Sequence, residues 1–202
     1  MAFSSLSKVS RNLLLGQAVL FGFMSACYLM LPNLLVGGAG ASNFGDSWPT
    51  IIPYSLGLVG CALFVFLAAE LLGASSWLKL PLYVLAAGYA AELLSTYPYK
   101  LNPTFNQLHK ATDVAFVLYQ LLLGLLCIWY LYRKHLAVVI FAGQLAGALL
   151  MFLSLFSYHV LFAGQVLESL AFAIMLVTAT AGLSDKSKRI AEFDTSNIRL
   201  KT

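Results

Sequence analysis

The chain has 202 residues, of which 60% are hydrophobic and 10% charged, and its mean hydropathy is +0.85. A soluble domain has about a quarter of its residues charged and under half apolar. The composition therefore excludes an ordinary cytosolic enzyme, a nucleic-acid-binding domain and a disordered chain, and leaves a polytopic membrane protein.

A membrane-crossing helix takes about 20 mostly apolar residues. Six runs meet that requirement: Asn12 to Val36, Thr50 to Gly73, Leu78 to Tyr97, Thr112 to Tyr132, Leu136 to Phe156 and Val160 to Leu183. All are too long for strands and none alternates as a membrane barrel does. The expected fold class is all-α: a bundle of six transmembrane helices over residues 1–183, followed by a polar cytoplasmic tail over 184–202. The first run is longer than the apolar region of a signal peptide, about 7–15 residues, and is kept as a membrane helix.

The charge of +4 comes from twelve basic and eight acidic residues. Ten of the twelve basic residues fall on one side of the expected bundle: Lys8, Arg11, Lys79, Arg133, Lys134, Lys186, Lys188, Arg189, Arg199 and Lys201. Only Lys100 and Lys110 fall on the other. The positive-inside rule then puts both termini in the cytoplasm. Trp48, Tyr54, Tyr97, Tyr99 and Tyr158 are expected as aromatic anchors at the outer interface, and Trp77, Trp129 and Tyr132 at the inner one. The two longer outer connections are Gly37 to Pro49 and Pro98 to Lys110, where a scaffold of this kind would display specificity.

Three cysteines, Cys27, Cys61 and Cys127, all lie within apolar runs and read as small packing residues, without a disulfide framework or metal site. Gly143 and Gly147 form a Gly-x-x-x-Gly on the fifth run, which permits close helix approach inside the bundle or across a homodimer.

Ionisable groups inside a membrane are costly and mark functional positions by default. Glu70 sits near the cytoplasmic end of its helix, beside Lys79, as an interfacial carboxylate. Glu92, Asp113 and Glu168 occupy the outer half on three different helices, Glu168 roughly 12 Å deep by helical rise. His109 and Asp113 are four apart, with Gln120 further along, and Gln165 and Glu168 share a face below His159. A polar cavity open to the outside would bring these seven residues together as a ligand site. For Asp113 there is also a plainer reading, an acid in a first helical turn complementing the helix dipole.

No catalytic residue, metal set or cofactor is expected. A catalytic zinc commonly takes three protein ligands, whereas only His109 and His159 lie on the outer side, and neither a His-Glu-x-x-His pair nor a glycine-flanked serine elbow occurs.

The third helix ending in Tyr97-Pro98, His109 just before the fourth, Phe116 after it, and Gly164-x-x-x-Glu168 in the sixth resemble bacterial six-helix membrane proteins of unknown function, themselves distantly similar to DRAM-type proteins. The resemblance covers helices 3 to 6. It implies a six-helix fold, a bacterial inner (plasma) membrane and no established reaction. Ser169 stands where such proteins often carry an arginine.

Two functions are compatible with these observations. One is a membrane protein that binds or carries a small or lipid-like, cationic ligand in an outward-facing polar cavity. The other is a structural or accessory subunit that meets a membrane-protein partner through its intramembrane polar residues. Membrane lipid is a partner in both, and nucleic acid in neither.

Overall fold

The computed structural model describes residues 2–35, 40–74, 76–97, 102–130, 134–154, 156 and 160–199, with backbone alone for 2–7, 34–35, 134 and 182–199. Among the described residues there are six α-helices and no strand: α1 Ala2–Met30, α2 Ile51–Glu70, α3 Lys79–Thr96, α4 Pro103–Tyr130, α5 Lys134–Ser154 and α6 Leu161–Arg199. Five of them contain a segment long and apolar enough to cross a membrane: Lys8–Met30, Ile51–Glu70, Pro103–Tyr130, His135–Ser154 and Leu161–Ala181.

The first helix begins at Ala2, ten residues before the expected Asn12, and three further boundaries depart from the sequence expectation for a local reason. The first helix stops at Met30 rather than Val36, because Pro32 disfavours helical geometry at Leu31, and a short 3₁₀ turn, Pro32–Leu35, follows. The fourth begins at Pro103, nine residues before Thr112, so most of the expected Pro98 to Lys110 loop is helix. Asn102 caps it, its Oδ1 accepting the Phe105 backbone N–H at 3.0 Å, and Pro103 takes a first-turn position that needs no N–H. The sixth runs through the expected tail to Arg199, since no glycine or proline follows Gly182. Its helical part beyond Ala181 is about 27 Å long.

The helices close into a ring. Helix α1 packs against α2 and α6, α2 against α3, α3 against α4, and α4 against α6, with α5 seated along α4 and α6. Large apolar side chains such as Leu29, Ile52, Leu63, Leu122 and Val139 face outward, while Gln17, His109, Gln120, Gln144 and Glu168 are buried. That is the inverse of a soluble domain, where exposed apolar patches are small. Apolar surroundings satisfy this exterior, and the polar side chains find their partners inside.

The interior has two unlike halves. Toward the α2–α3 connection Val65, Ala68, Leu78, Leu82, Phe172 and Leu176 form a closed apolar core. Toward the α1–α2 connection the ring opens around polar groups. Cys27, Cys61 and Cys127 are all buried and free.

Candidate functional site

A cavity of about 120 Å³ lies among the six helices. By size this is of the order of a pocket that holds one small ring or a few waters. Its walls include Glu92 from α3, Asp113 and Gln120 from α4, and Gln165 and Glu168 from α6. Five of the seven expected site residues thus border one space. No lysine or arginine lines it. His109 stands just behind Glu92 and Asp113, and His159 lies outside the described residues.

Two groups of side chains supply the polarity. Glu168, only 1% exposed, forms the inner one. Gln144 on α5 donates through Nε2 to Glu168 Oε1 at 2.9 Å. The Gln120 amide, turned with its nitrogen toward the acid, donates to Oε2 at 2.9 Å and to Oε1 at 3.3 Å. The Ser169 hydroxyl stands 3.5 Å from Oε2. One carboxyl on α6 thereby ties in amides from α4 and α5. Glycines make the room for it. A side chain at Gly147 would run into the backbone of Glu168, with Cα 2.7 Å away, and one at Gly124 would strike Gln144. Gly147 therefore serves the contact of α5 with α6, whereas Gly143 has only Ala171 near it, at 3.7 Å.

The second group sits toward the α1–α2 and α3–α4 connections. The long α4 places Asp113 ten residues past the helix start, so the first-turn dipole reading of Asp113 does not hold. Its α-helical spacing brings His109 Nδ1 to 3.4 Å from Asp113 Oδ1. Ser95 on α3 lies 3.0 Å from the same nitrogen. Ligand-capable atoms of Glu92, His109 and Asp113 all come within 4.8 Å of one another. Glu92 Oε2 and Asp113 Oδ1 are buried oxygens without a regular hydrogen bond, the second having only the His109 contact. The helix turn that carries Glu92 is fixed from behind: Ser95 and Thr96 hydroxyls both donate to the Glu92 carbonyl, at 3.0 and 2.8 Å.

Tyr54, expected as an interfacial anchor, is instead 1% exposed, and its hydroxyl pairs with Thr96 Oγ1 at 3.3 Å. Trp48 and Trp129 do face outward, and Trp77 is half-buried in a stack with Tyr130. Tyr99, Tyr132 and Tyr158 lie outside the described residues. Glu70 is exposed, as an interfacial acid would be, and accepts the Tyr83 hydroxyl at 2.6 Å.

Among the described residues of the connection from α1 to α2, Ala41 and Phe44 pack inward beside the cavity. The Ala41 N–H donates to Gln165 Oε1 at 2.8 Å, and Phe44 is fully buried, edge-on to Phe162. Gly45 is needed where it stands, since a side chain there would come within 2.7 Å of the Tyr54 ring and 2.6 Å of Thr96. Gln165 is thus both a wall of the cavity and a latch on the Ala41 backbone.

Sequence reasoning missed Gln144, Tyr54 and Ser95. Gln144 alone carried a usable signal, as an uncharged polar residue in the middle of an apolar run, on the same helix as the paired glycines. Tyr54 and Ser95 lie near helix ends, where polar residues are common.

The fold and the cavity define the class: an all-helical bundle of the multi-pass membrane type, with a buried acidic cavity. Comparison with family models, with curated proteins and with solved structures gives no match in any of the three.

Proposed function

We propose that the chain crosses a bacterial plasma membrane six times with both termini in the cytoplasm, and that it binds a small cation or the amine headgroup of a lipid-like molecule in this cavity, as a carrier. The observation that carries the reading is the convergence of Glu92 and Asp113, from two helices, on one space that no lysine or arginine lines, with Glu168 tied into its wall. Carboxylates with no lysine or arginine beside them in a low-dielectric interior attract a cation far more strongly than they would in water. Aromatic rings of Tyr89 and Phe116, in edge-on contact at 4.9 Å, give the same walls a face suited to an ammonium group. An accessory subunit would turn its intramembrane acids toward a partner, whereas these three turn inward.

The sixth crossing is α3. At 18 residues it is about 27 Å long, close to the hydrocarbon thickness, and it is bracketed by α2 and α4 in the ring. Lys79 and Glu92 lower its hydropathy, and Glu92 is turned to the cavity. Single cysteines test the orientation. A cysteine at Trp48, which is 88% exposed, should react with an impermeant maleimide on intact cells, and one at Ser187 should not. Labelling at Ser187 would reverse the topology.

For the ligand, the probe is radiolabelled methylammonium on the purified protein in detergent. Saturable binding is expected, weakened about tenfold by Glu92→Gln and again by Asp113→Asn, with helicity and elution volume unchanged. Absence of saturable binding, or binding that survives both changes, would overturn the reading.

A further inference from the structure

The geometry points to a site for a single divalent transition-metal ion at the mouth of the cavity, held by Glu92, His109 and Asp113. Three separate observations lead there. The donor set is one imidazole and two carboxylates, and their ligand-capable atoms lie within 4.8 Å of one another. Ligands about 2.1 Å from a tetrahedral ion are about 3.4 Å apart. His109 Nδ1 and Asp113 Oδ1 already have that separation, at 3.4 Å. The third donor, from Glu92, lies within 4.8 Å of both.

A second observation is that two of the donor residues carry buried oxygens without a regular hydrogen bond, Glu92 Oε2 and Asp113 Oδ1, the latter having only the His109 contact at 3.4 Å. A buried acceptor left unpaired costs about 1–3 kcal/mol, and a native interior tolerates few of them. An ion among the three side chains would satisfy both at once.

The third observation is support from outside the trio. The imidazole is 4% exposed, so its ring is held by packing. The Ser95 hydroxyl, fixed by its own bond to the Glu92 carbonyl, stands 3.0 Å from Nδ1 and accepts its hydrogen in the absence of an ion. An ion on Nδ1 takes the place of that proton and of the Ser95 contact. Three protein ligands also leave a coordination position open, and Glu92 and Asp113 are themselves cavity walls, so the open position faces that space.

The donor types select among ions. A calcium or magnesium ion takes oxygen donors almost exclusively, whereas an imidazole with two carboxylates suits zinc, cobalt, manganese or ferrous ions. In the absence of such an ion, His109 and the two acids keep the contacts described above. The two residues from α4 and one from α3 give the set no linear spacing, which is why no metal motif is legible in the chain.

The proposal rests on the reading of the cavity as a cation site in sharing Glu92 and Asp113 with it, but the two fail separately. The test uses the full-length protein in detergent, stripped with a chelator and titrated with cobalt(II). One equivalent is expected to bind, with visible d–d absorption showing nitrogen and oxygen ligands. Affinity should fall more than about a hundredfold in His109→Ala and in Glu92→Gln, each of which loses a ligand. Glu168→Gln should bind cobalt as the parent does. Methylammonium binding should persist in His109→Ala, so loss of the amine site and loss of the metal site are told apart. Should His109→Ala fold poorly, His109→Gln and the zinc-induced rise in melting temperature serve instead: the rise should be present in the parent and absent in the variant. Absence of stoichiometric cobalt binding, a spectrum unaltered in the His109 variants, or an equal zinc-induced rise in His109→Gln would each overturn the site.

Discussion

Glu168 and the pair Glu92–Asp113 border the same cavity but are built differently. Glu168 is sealed at 1% exposure and receives amide donors from two neighbouring helices. Glu92 and Asp113 are half-buried, and each keeps a buried oxygen without a regular hydrogen bond. A carboxyl with its acceptor positions filled by its own protein is committed to holding helices together. A carboxyl with positions left over is available to something else. The difference teaches that an intramembrane acid is not by itself a ligand site: the state of its hydrogen bonds decides which of the two tasks it performs.

The largest expected effect breaks this contrast most directly. Glu168→Leu would leave the Gln120 and Gln144 amides facing a methyl group in a closed interior. Each unpaired buried amide costs about 1–3 kcal/mol, so the change should destabilise the bundle by about 3 kcal/mol. Glu92→Leu removes a group already short of partners and should cost less than about 1 kcal/mol. Glu168→Gln keeps shape and hydrogen-bonding capacity, and the partner amides can reverse to suit it, so its melting temperature should lie close to the parent's. Thermal unfolding in one detergent, read for all three variants, checks the ranking. Equal losses for Glu168→Leu and Glu92→Leu would mean that the two groups do not divide the tasks as their geometry indicates.

Much of this arrangement could be read from the chain before its structure. Depth along the helices put Glu92, Asp113 and Glu168 in the same half of the bundle, but their convergence also depends on rotation about each helix axis, which no spacing in the chain gives. The start of α4 was not anticipated, although Asn102-Pro103 is a capping signal: the polar Lys100–Lys110 stretch suggested a loop, and propensity within a polar segment is a weak guide. Burial of Tyr54 was also unforeseen, since an aromatic near a helix end suits the membrane interface equally well. Its fate is decided by the inward packing within the α1–α2 connection, a tertiary event that no local pattern encodes. The partners of Glu168 were legible only in part, Gln120 by its spacing from Asp113 and Gln144 not at all, because contacts between helices depend on rotation about each axis.

The glycines give the smaller and sharper test of how the sealed group is made. Gly143 and Gly147 are one turn apart on α5 and look alike in sequence, yet only Gly147 lies against the backbone of Glu168. An alanine at Gly147 must push α5 from α6, since the obstruction is main chain, which cannot rotate aside as a side chain would. Overpacking of that kind costs about 1–3 kcal/mol. It would also draw the Gln144 amide away from Glu168, because both residues of that bond ride on the displaced pair of helices. At Gly143 the nearest obstacle is the Ala171 methyl at 3.7 Å, an ordinary contact distance. There the greater helix propensity of alanine, worth up to about 1 kcal/mol, has nothing to oppose it. Gly147→Ala should therefore lower the melting temperature and Gly143→Ala should leave it unchanged or raise it slightly. If the two variants behave alike, the close approach of α5 and α6 is not what seals Glu168, and its separation from the Glu92–Asp113 pair needs another cause.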